Sequence, residues 1–245
     1  MFVARLGRVA AVVVLGAALQ SAAATDAPTL DRSPPEGMEA LPVGWYAEIR
    51  LSQGRIIIQL HPEQAPQSVA HFTALAEGRL EWIDPFTGEP RSAPYYDGLE
   101  VHKVQASQRF ELGDRTGTGR GAAPFYVPEE GKAPASFDQP WRVGMTRASL
   151  GRISGSQFFV TAAPQPFLRE RHPCFGTVVA GRDLVRTITE VPASSAGKPL
   201  QPIVVEHVRV FLVGEVPDLP DPKSHDPKPR RLQVNPNLLE DDRGG

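Results

Sequence analysis

The sequence predicts a mainly β domain, a closed antiparallel β-barrel whose ends are covered by two α-helices. Many short β-rich segments are separated by turn residues, and only two segments have the apolar spacing of a helix. The chain also contains 22 glycines and 25 prolines among its 245 residues. Both residue types disfavour helix interiors and favour turns, so a helical bundle is an unlikely alternative by composition alone.

The composition excludes several other classes of protein. With 26 Lys+Arg against 28 Asp+Glu, the formal net charge is −2, which argues against a strongly electrostatic binder of nucleic acid or anionic lipid. Apolar residues make up 41% of the chain and charged residues 22%, as in a globular domain. A single cysteine, Cys174, excludes an internal disulfide, Cys-based zinc sites and CxxC redox chemistry.

The first 24 residues have the pattern of a secretory signal peptide. Arg5 and Arg8 precede an apolar run of 11 residues at 9–19, and three alanines at 22–24 offer a cleavage site. The run is too short to span a bilayer, although an N-terminal membrane anchor is the alternative interpretation. We therefore expect an exported protein of the bacterial periplasm, without stable membrane insertion after cleavage.

Two proline-rich stretches flank the central part of the chain. Residues 25–42 are polar, lack periodicity and are predicted to be a linker. Residues 215–245 contain further prolines and mixed charges and are predicted to be a disordered tail, in which the basic cluster 228–231 is interpreted as solvated. Between them, residues 43–214 have the length of one domain.

The central domain opens with a predicted hairpin, 46–51 and 55–60, around a turn that contains Gly54. A helix is predicted over 66–77, because Pro66 suits a first helical turn and Gly78 a helix end. Its apolar residues Val69, Phe72 and Leu75 share one face. Residues 79–94 show no pattern and are interpreted as an inserted loop.

Further elements follow from β-rich runs and one more amphipathic segment. The second helix is predicted over 182–189, where Leu184, Val185 and Ile188 share a face. Strands are predicted at 99–105, 109–113, 143–148, 157–161, 175–180 and 203–213.

A series of short motifs gives the sequence a family resemblance. In order, they are YYDGLEVHKV (95–104), GDRTGTGRG (113–121), GMTRA (144–148), GSQFFV (155–160), FL (167–168), His172 and FG (175–176). This series resembles the cyclophilin-type peptidyl-prolyl cis–trans isomerases, in which similar motifs occur in the same order at similar spacing. The segment 54–75 also matches the opening of that family, so the resemblance covers residues 45–213. It implies an eight-stranded antiparallel barrel capped by two α-helices.

The resemblance also implies a reaction. Such a protein would rotate the X–Pro peptide bond, whose resonance barrier is about 18–20 kcal/mol. It needs a pocket for the proline ring, donors for the flanking carbonyl and a cation beside the prolyl nitrogen, so that the twisted amide is bound more tightly than the planar one. No cofactor or metal is expected. The expected partners are proline-containing polypeptides, and the protein is expected to be a monomer.

The resemblance assigns the site residue by residue. Lys103 occupies the position of the catalytic arginine, and lysine lacks the planar fork of guanidinium donors. Gln108 and Arg109 replace two apolar residues of the proline pocket, and Glu111 replaces a glutamine that contacts the substrate backbone. The other substrate-binding candidates are His102, Thr146, Arg147, Gln157, Phe159, Phe167, Leu168 and His172.

Alternatives remain open at several of these positions. Lys103 and Arg109 are six residues apart and share one face of a strand without a bulge, so Arg109 could supply the guanidinium that Lys103 lacks. Both could equally be ordinary surface charges, and His102 could be a packed barrel residue. The expected function is peptidyl-prolyl isomerisation that assists the folding of exported proteins. The alternatives are a weak or inactive peptide-binding or chaperone-like module, and an interaction protein that uses the 79–94 insert or the tail.

Other chemistries have weaker support in the sequence. The glycine-rich 113–121 segment matches neither a Walker A loop nor a dinucleotide fingerprint. Six histidines are scattered without ligand spacing, so no metal site is expected. Ser154 and Ser156 precede His172, but no G-x-S-x-G elbow accompanies them.

Overall fold

A computed structural model describes residues 31–121, 125–130, 137–148 and 151–222. Its regular elements, in chain order, are β1 (Gly44–Leu51), β2 (Gly54–Leu60), α1 (Pro66–Ala76), β3 (Trp82–Ile83), β4 (Pro90–Arg91), β5 (Lys103–Gln105), β6 (Arg109–Leu112), β7 (Tyr126–Val127), β8 (Arg142–Arg147), β9 (Ile153–Thr161), β10 (Cys174–Ala180), α2 (Arg182–Thr189) and β11 (Val205–Val213). A 3₁₀ turn at Pro166–Leu168 lies between β9 and β10.

One curled antiparallel sheet forms most of the domain. Eight strands lie side by side in the order β11-β1-β2-β10-β8-β9-β6-β5, and β7 also pairs with β9. The mainly β, antiparallel class with two helices is thereby confirmed. Backbone hydrogen bonds from Gly98 to Val205 (2.8 Å) and from Val101 to Ile203 (2.9 Å) join the two ends of this row. No regular ladder pairs β5 with β11 within the described residues, so full barrel closure stays a prediction.

Several elements differ from their predicted bounds. The strand predicted at 99–105 is regular only over Lys103–Gln105, because the residues before it bond to the 203–205 segment instead. The strand predicted at 157–161 begins earlier, at Ile153, and all of its residues are buried. The extension is missing from the sequence prediction because Ser154, Gly155 and Ser156 interrupt the apolar pattern of the strand.

The 79–94 insert is not wholly irregular. It contains the small hairpin β3–β4, in which Trp82 pairs with Arg91. The buried Trp82 donates its indole N–H to the Ala93 carbonyl (2.9 Å) and packs edge-on against Tyr95, with ring centroids 5.3 Å apart. A buried tryptophan with a satisfied N–H anchors the insert to the domain.

The core lies on the inner face of the sheet, under α1. Alternate residues of β6 and β9, Phe110 and Phe158, point inward, as the two-residue repeat of a strand requires. Phe72 of α1 packs on Tyr96 and Phe158 at centroid distances of 5.2 and 5.5 Å. Burying each such ring stabilises the fold by about 1.5–3 kcal/mol. The residues that alternate with the inward-facing ones, such as Glu111 and Phe159, lie on the outer face of the same strands.

Residues on both sides of the predicted bounds of 43 and 214 contact the domain. Arg32 donates two hydrogen bonds to the Glu77 carboxylate (2.6 and 2.8 Å), and its carbonyl accepts from Leu212 N–H (2.8 Å). At the other end, Trp45 donates its indole N–H to the Pro217 carbonyl (3.1 Å), while Val216 packs against the core. Parts of the predicted linker and tail therefore contact the domain through isolated anchors that produce no periodicity, and the linker and tail boundaries stay a prediction.

The remaining predictions for the termini lie outside the described residues. These are the signal peptide at 1–24, the start of the linker at 25–30 and the tail from 223 onward. Within the described ranges, no helix has both the length and the apolar character needed to cross a membrane.

Candidate active site

A row of side chains crosses the outer face of β5, β6, β9 and β8. The strand register places Lys103 opposite Glu111, Glu111 opposite Phe159, and Phe159 opposite Gly144. Directly opposed residues of paired strands share a face of the sheet. Arg109 lies two residues before Glu111 and therefore shares this face too. The sheet thus brings four of the predicted site residues together.

An ion cluster forms one end of this row. The Glu111 carboxylate oxygen Oε1 lies 3.7 Å from Lys103 Nζ and 3.2 Å from Arg109 Nε. The Lys103 side chain is 40% exposed, whereas those of Glu111 and Arg109 are 14% and 15% exposed. One carboxylate therefore serves two cations, of which only Lys103 extends well into solvent.

Arg109 is held in place by further contacts. Its Nη1 donates to Oε1 of Gln165 (2.7 Å), and its guanidinium carbon lies 5.4 Å from the centroid of the Phe159 ring. Gln165 is fully buried and donates its own amide N–H to the Gln108 carbonyl (3.0 Å). A buried side chain with both ends bonded has little freedom, so Gln165 fixes the guanidinium above the ring.

A buried apolar cluster adjoins the ion cluster. Phe159, Phe137, Leu168 and Cys174 form one buried group, in which the two phenylalanine rings lie 5.4 Å apart. Gly144 makes room for them: a Cβ there would lie 2.5 Å from Phe159 Cζ and 2.7 Å from Phe137 Cζ. Burial raises the pKa of the Cys174 thiol to about 11, so the thiol is neutral at pH 7.

His172 borders the apolar cluster as a neutral side chain. Its ring packs edge-on against Phe159 (5.3 Å between centroids), and its Nδ1 lies 2.8 Å from the Met145 carbonyl. A carbonyl can only accept, so Nδ1 carries the hydrogen and Nε2 is left as an acceptor. Burial lowers the pKa of His172, which keeps the ring uncharged at pH 7.

Gln157 and Thr146, on neighbouring strands β9 and β8, are linked to each other. The Thr146 hydroxyl donates to the Gln157 backbone carbonyl (3.2 Å), and both residues are buried. The Gln157 side-chain amide donates to the carbonyl of Gly121. This contact ties the end of the glycine-rich segment to β9.

Arg147 is engaged in a clamp between loops. Its guanidinium makes two hydrogen bonds to the Glu129 carboxylate (2.7 and 3.0 Å) and also donates to the carbonyls of Gly151 and Arg171. Hydrogen bonding to Glu129 raises the pKa of Arg147. In this arrangement Arg147 joins three segments of the chain.

Three other predicted site residues lie outside both the ion cluster and the apolar cluster. Gln108 is exposed in the turn between β5 and β6, and Phe167 is 59% exposed on the 3₁₀ turn. His102 is buried, and neither of its ring nitrogens has a hydrogen-bond partner among the described residues. Burial lowers the pKa of His102, so its ring is neutral at pH 7.

Sequence reasoning missed several residues that shape the site. Gln165 lies between two prolines, where no periodicity or motif singles it out. Phe137 falls in a stretch to which the sequence assigns no element. Gly144 opens the GMTRA motif, and a glycine within a strand is a signal of close approach that could have been read. For metals, the described residues contain no group of three or more His, Cys, Asp or Glu side chains able to hold an ion.

Comparison with known proteins identifies the family. The model of the cyclophilin-type peptidyl-prolyl cis–trans isomerases matches residues 46–210, two thirds of the chain. This chain belongs to that family. It is 36% identical over 168 residues to peptidyl-prolyl cis-trans isomerase B of Streptomyces anulatus, covering 67% of this chain and 95% of that protein. It is 32% identical over 166 residues to peptidyl-prolyl cis-trans isomerase A of Mycobacterium tuberculosis, covering 67% and 91%.

Solved cyclophilins share the fold. A cyclophilin-type isomerase of Cryptosporidium parvum superposes with a TM-score of 0.57 at 22% identity, covering 68% of this chain and 96% of that one. A second crystal structure of that protein, obtained in the presence of the dipeptide Ala-Pro, gives the same TM-score at 23% identity. At this identity the match concerns the cyclophilin fold alone.

Proposed function

We propose that this cyclophilin catalyses cis–trans isomerisation of X–Pro bonds in polypeptides, with Lys103 as the main cation. One observation carries the proposal: the apolar Phe159–Phe137–Leu168 cluster and the charged row that begins at Lys103 meet on one face of the sheet, where Phe159 belongs to both. A proline ring needs the first feature, and a twisting amide needs the second. The dipeptide Ala-Pro used with the Cryptosporidium protein supports proline-containing peptides as the substrate class.

The chemistry asked of Lys103 is electrostatic. As the X–Pro bond twists, the prolyl nitrogen gains lone-pair character, and a cation beside it stabilises the twisted form more than the planar form. Lys103 is suited because its ammonium is half-exposed and is only loosely paired with Glu111, at 3.7 Å. Arg109 is less able to move toward a prolyl nitrogen, because Glu111, Gln165 and the Phe159 ring hold its guanidinium in place.

The experiment is exchange NMR on a short Ala-Pro peptide, with and without the protein. Faster exchange between the cis and trans signals supports the proposal, and an exchange rate equal to the uncatalysed rate contradicts it. Exchange NMR measures the isomerisation directly and needs no coupled protease.

A peptide-binding module without rate enhancement is the second candidate. The observation that favours it is the guanidinium of Arg109, which covers the ring of Phe159 where a proline would pack. Arg109→Met uncovers that ring with a side chain of similar length. If wild type binds the Ala-Pro peptide without accelerating exchange, and Arg109→Met accelerates it, the second candidate describes the natural protein.

Export and a role in the folding of exported proteins complete the proposal. The support is the pattern of Arg5, Arg8, the apolar run at 9–19 and the alanines at 22–24. We expect the mature, periplasmic protein to begin at or near Thr25 and to act as a monomer. Mass spectrometry of the exported protein would contradict this if it returned Met1 as the first residue, and light scattering tests the monomer.

A further inference from the structure

We propose that the site formed by the Lys103–Glu111–Arg109 cluster and Phe159 selects peptides with a Glu or Asp side chain next to the proline, and that Arg109, positioned by Gln165, binds that carboxylate. The inference rests on the proposed function, since it names the substrate class of the same site. Arg109 would be a specificity-determining residue and Gln165 a positioning residue.

The first argument is charge. Lys103 and Arg109 share the single carboxylate of Glu111, so the cluster has one positive charge in excess. The other charged or titratable groups on this side of the site, Arg147 and His172, do not cancel the excess positive charge of the cluster. Arg147 is paired with Glu129, and burial keeps the His172 ring neutral. A substrate carboxylate would supply the missing charge.

The second argument is the geometry of the guanidinium. Arg109 uses Nε toward Glu111 and Nη1 toward Gln165. Among the described residues, no hydrogen bond uses its Nη2 group. A guanidinium held by two of its nitrogens, with the third free, is prepared to bind a carboxylate at little further cost in side-chain entropy.

The third argument is the chemistry of Gln165. Its amide oxygen fixes Arg109 without contributing charge, and its amide N–H is bonded to the Gln108 carbonyl. A carboxylate at this buried position could also bind the arginine, but it would neutralise it and could not donate to the Gln108 carbonyl. The neutral partner therefore preserves the attraction of Arg109 for an incoming anion.

The fourth argument is partial burial. The Arg109 side chain is only 15% exposed and lies over the Phe159 ring of the proposed proline pocket. Charge pairs that are shielded from water are stronger than surface pairs and are screened less by salt. A carboxylate one residue from the proline would lie within this shielded region.

The test compares matched peptides in exchange NMR. The pairs are acetyl-Ala-Glu-Pro-Ala-amide with its Gln counterpart, and acetyl-Ala-Ala-Pro-Glu-amide with its Gln counterpart. Because the preference is a ratio measured on one protein, it is independent of the active fraction of a variant. In low salt we expect at least one Glu peptide to be preferred about threefold to fivefold, as for a partly exposed ion pair.

Three variants make the test specific. Arg109→Met should bring the Glu/Gln ratio to about one, and Glu111→Gln, which adds a net positive charge, should raise it above wild type. Gln165→Glu should lower the ratio, because its carboxylate neutralises Arg109. Equal turnover of both peptide pairs by wild type, or a ratio that Arg109→Met leaves unchanged, would overturn the inference.

The two proposals can fail separately. If wild type accelerates none of the four peptides, the proposed isomerase function fails. The affinities of the same peptides, measured by NMR chemical-shift titration, then decide the selectivity alone: preferential binding of a Glu peptide supports it, and equal affinities overturn it.

Discussion

The guanidinium carbon of Arg109 lies 5.4 Å from the centroid of the Phe159 ring, on the face of the sheet opposite to the core. The same guanidinium is bonded to Glu111 and to the buried Gln165. A charged group therefore stands at the aromatic floor of the proposed proline pocket. This arrangement distinguishes the site from one lined only by apolar side chains. The contribution of its charged residues can therefore be tested by substitution.

Gly144→Ala should destabilise the protein and disturb the pocket. The added Cβ would lie within 2.7 Å of the rings of Phe159 and Phe137, both of which are buried and cannot easily move away. Overpacking of this kind costs about 1–3 kcal/mol, to be measured by urea unfolding. Gly44→Ala is the matched control, because a Cβ there meets only ordinary contacts, the nearest at 3.5 Å. Equal stability of the two variants would contradict the packing argument.

The free energy of unfolding should fall as the pH decreases below about 6.5. Burial lowers the pKa values of His61, His102 and His172 from the model-peptide value of 6.5. The unfolded chain then binds protons more readily than the folded chain between 6.5 and the folded pKa values, so acidification favours unfolding there. Above 6.5 the three rings are neutral in both states and contribute no pH dependence.

The histidine prediction is checked group by group with an NMR titration of the ring proton signals. All three residues should titrate below 6.5 in the folded protein. A folded pKa at or above 6.5 for His172 would contradict its burial as a neutral ring beside Phe159.

Arg32→Ala should lower the free energy of unfolding by about 1 kcal/mol, as measured by urea unfolding. Arg32 makes two hydrogen bonds to Glu77, whose side chain is only 5% exposed, and lies 5.2 Å from the centroid of the Trp45 ring. Arg186→Ala is the control, since Arg186 also lies near a tryptophan ring, Trp141 at 5.6 Å, but its ion-pair partner Asp183 is 96% exposed rather than buried. If the two variants lose the same stability, the segment before β1 is not anchored as described.

Much of the fold could be predicted because its signals are local. Pro66 and Gly78 bracket α1, and the alternation in β6 is visible in the sequence as Phe110 and Leu112 facing inward. The start of β9 could not be predicted, because Ser154 and Ser156 are buried through hydrogen bonds rather than through apolar character. The hairpin in the insert depends on the distant contact of Trp82 with Tyr95.

Only the site residues that lie in sequence motifs or predicted strands could be predicted. Lys103 and Arg109 do share one face, but the reason differs from the predicted one: they lie on β5 and β6 rather than six residues apart on one strand, and the register joins them through Glu111. The role of Gln165 could not be foreseen, because its contacts with Arg109 and Gln108 cross more than fifty residues of sequence. Only the folded chain brings the 3₁₀ turn next to the β5–β6 hairpin.

The measurement that tests the central proposal most directly is exchange NMR of an Ala-Pro peptide with wild type, Lys103→Ala and Lys103→Arg. We expect wild type to accelerate exchange. Lys103→Ala should lower kcat/KM at least about tenfold, which is about 1.4 kcal/mol of transition-state stabilisation. Lys103→Arg should raise it, because a guanidinium can donate to two acceptors at once. Lys198→Ala is the control, since Lys198 is likewise half-exposed and paired with a glutamate. If Lys103→Ala matches wild type while Arg109→Ala abolishes exchange, Arg109 is the catalytic cation and the role given to Lys103 is wrong.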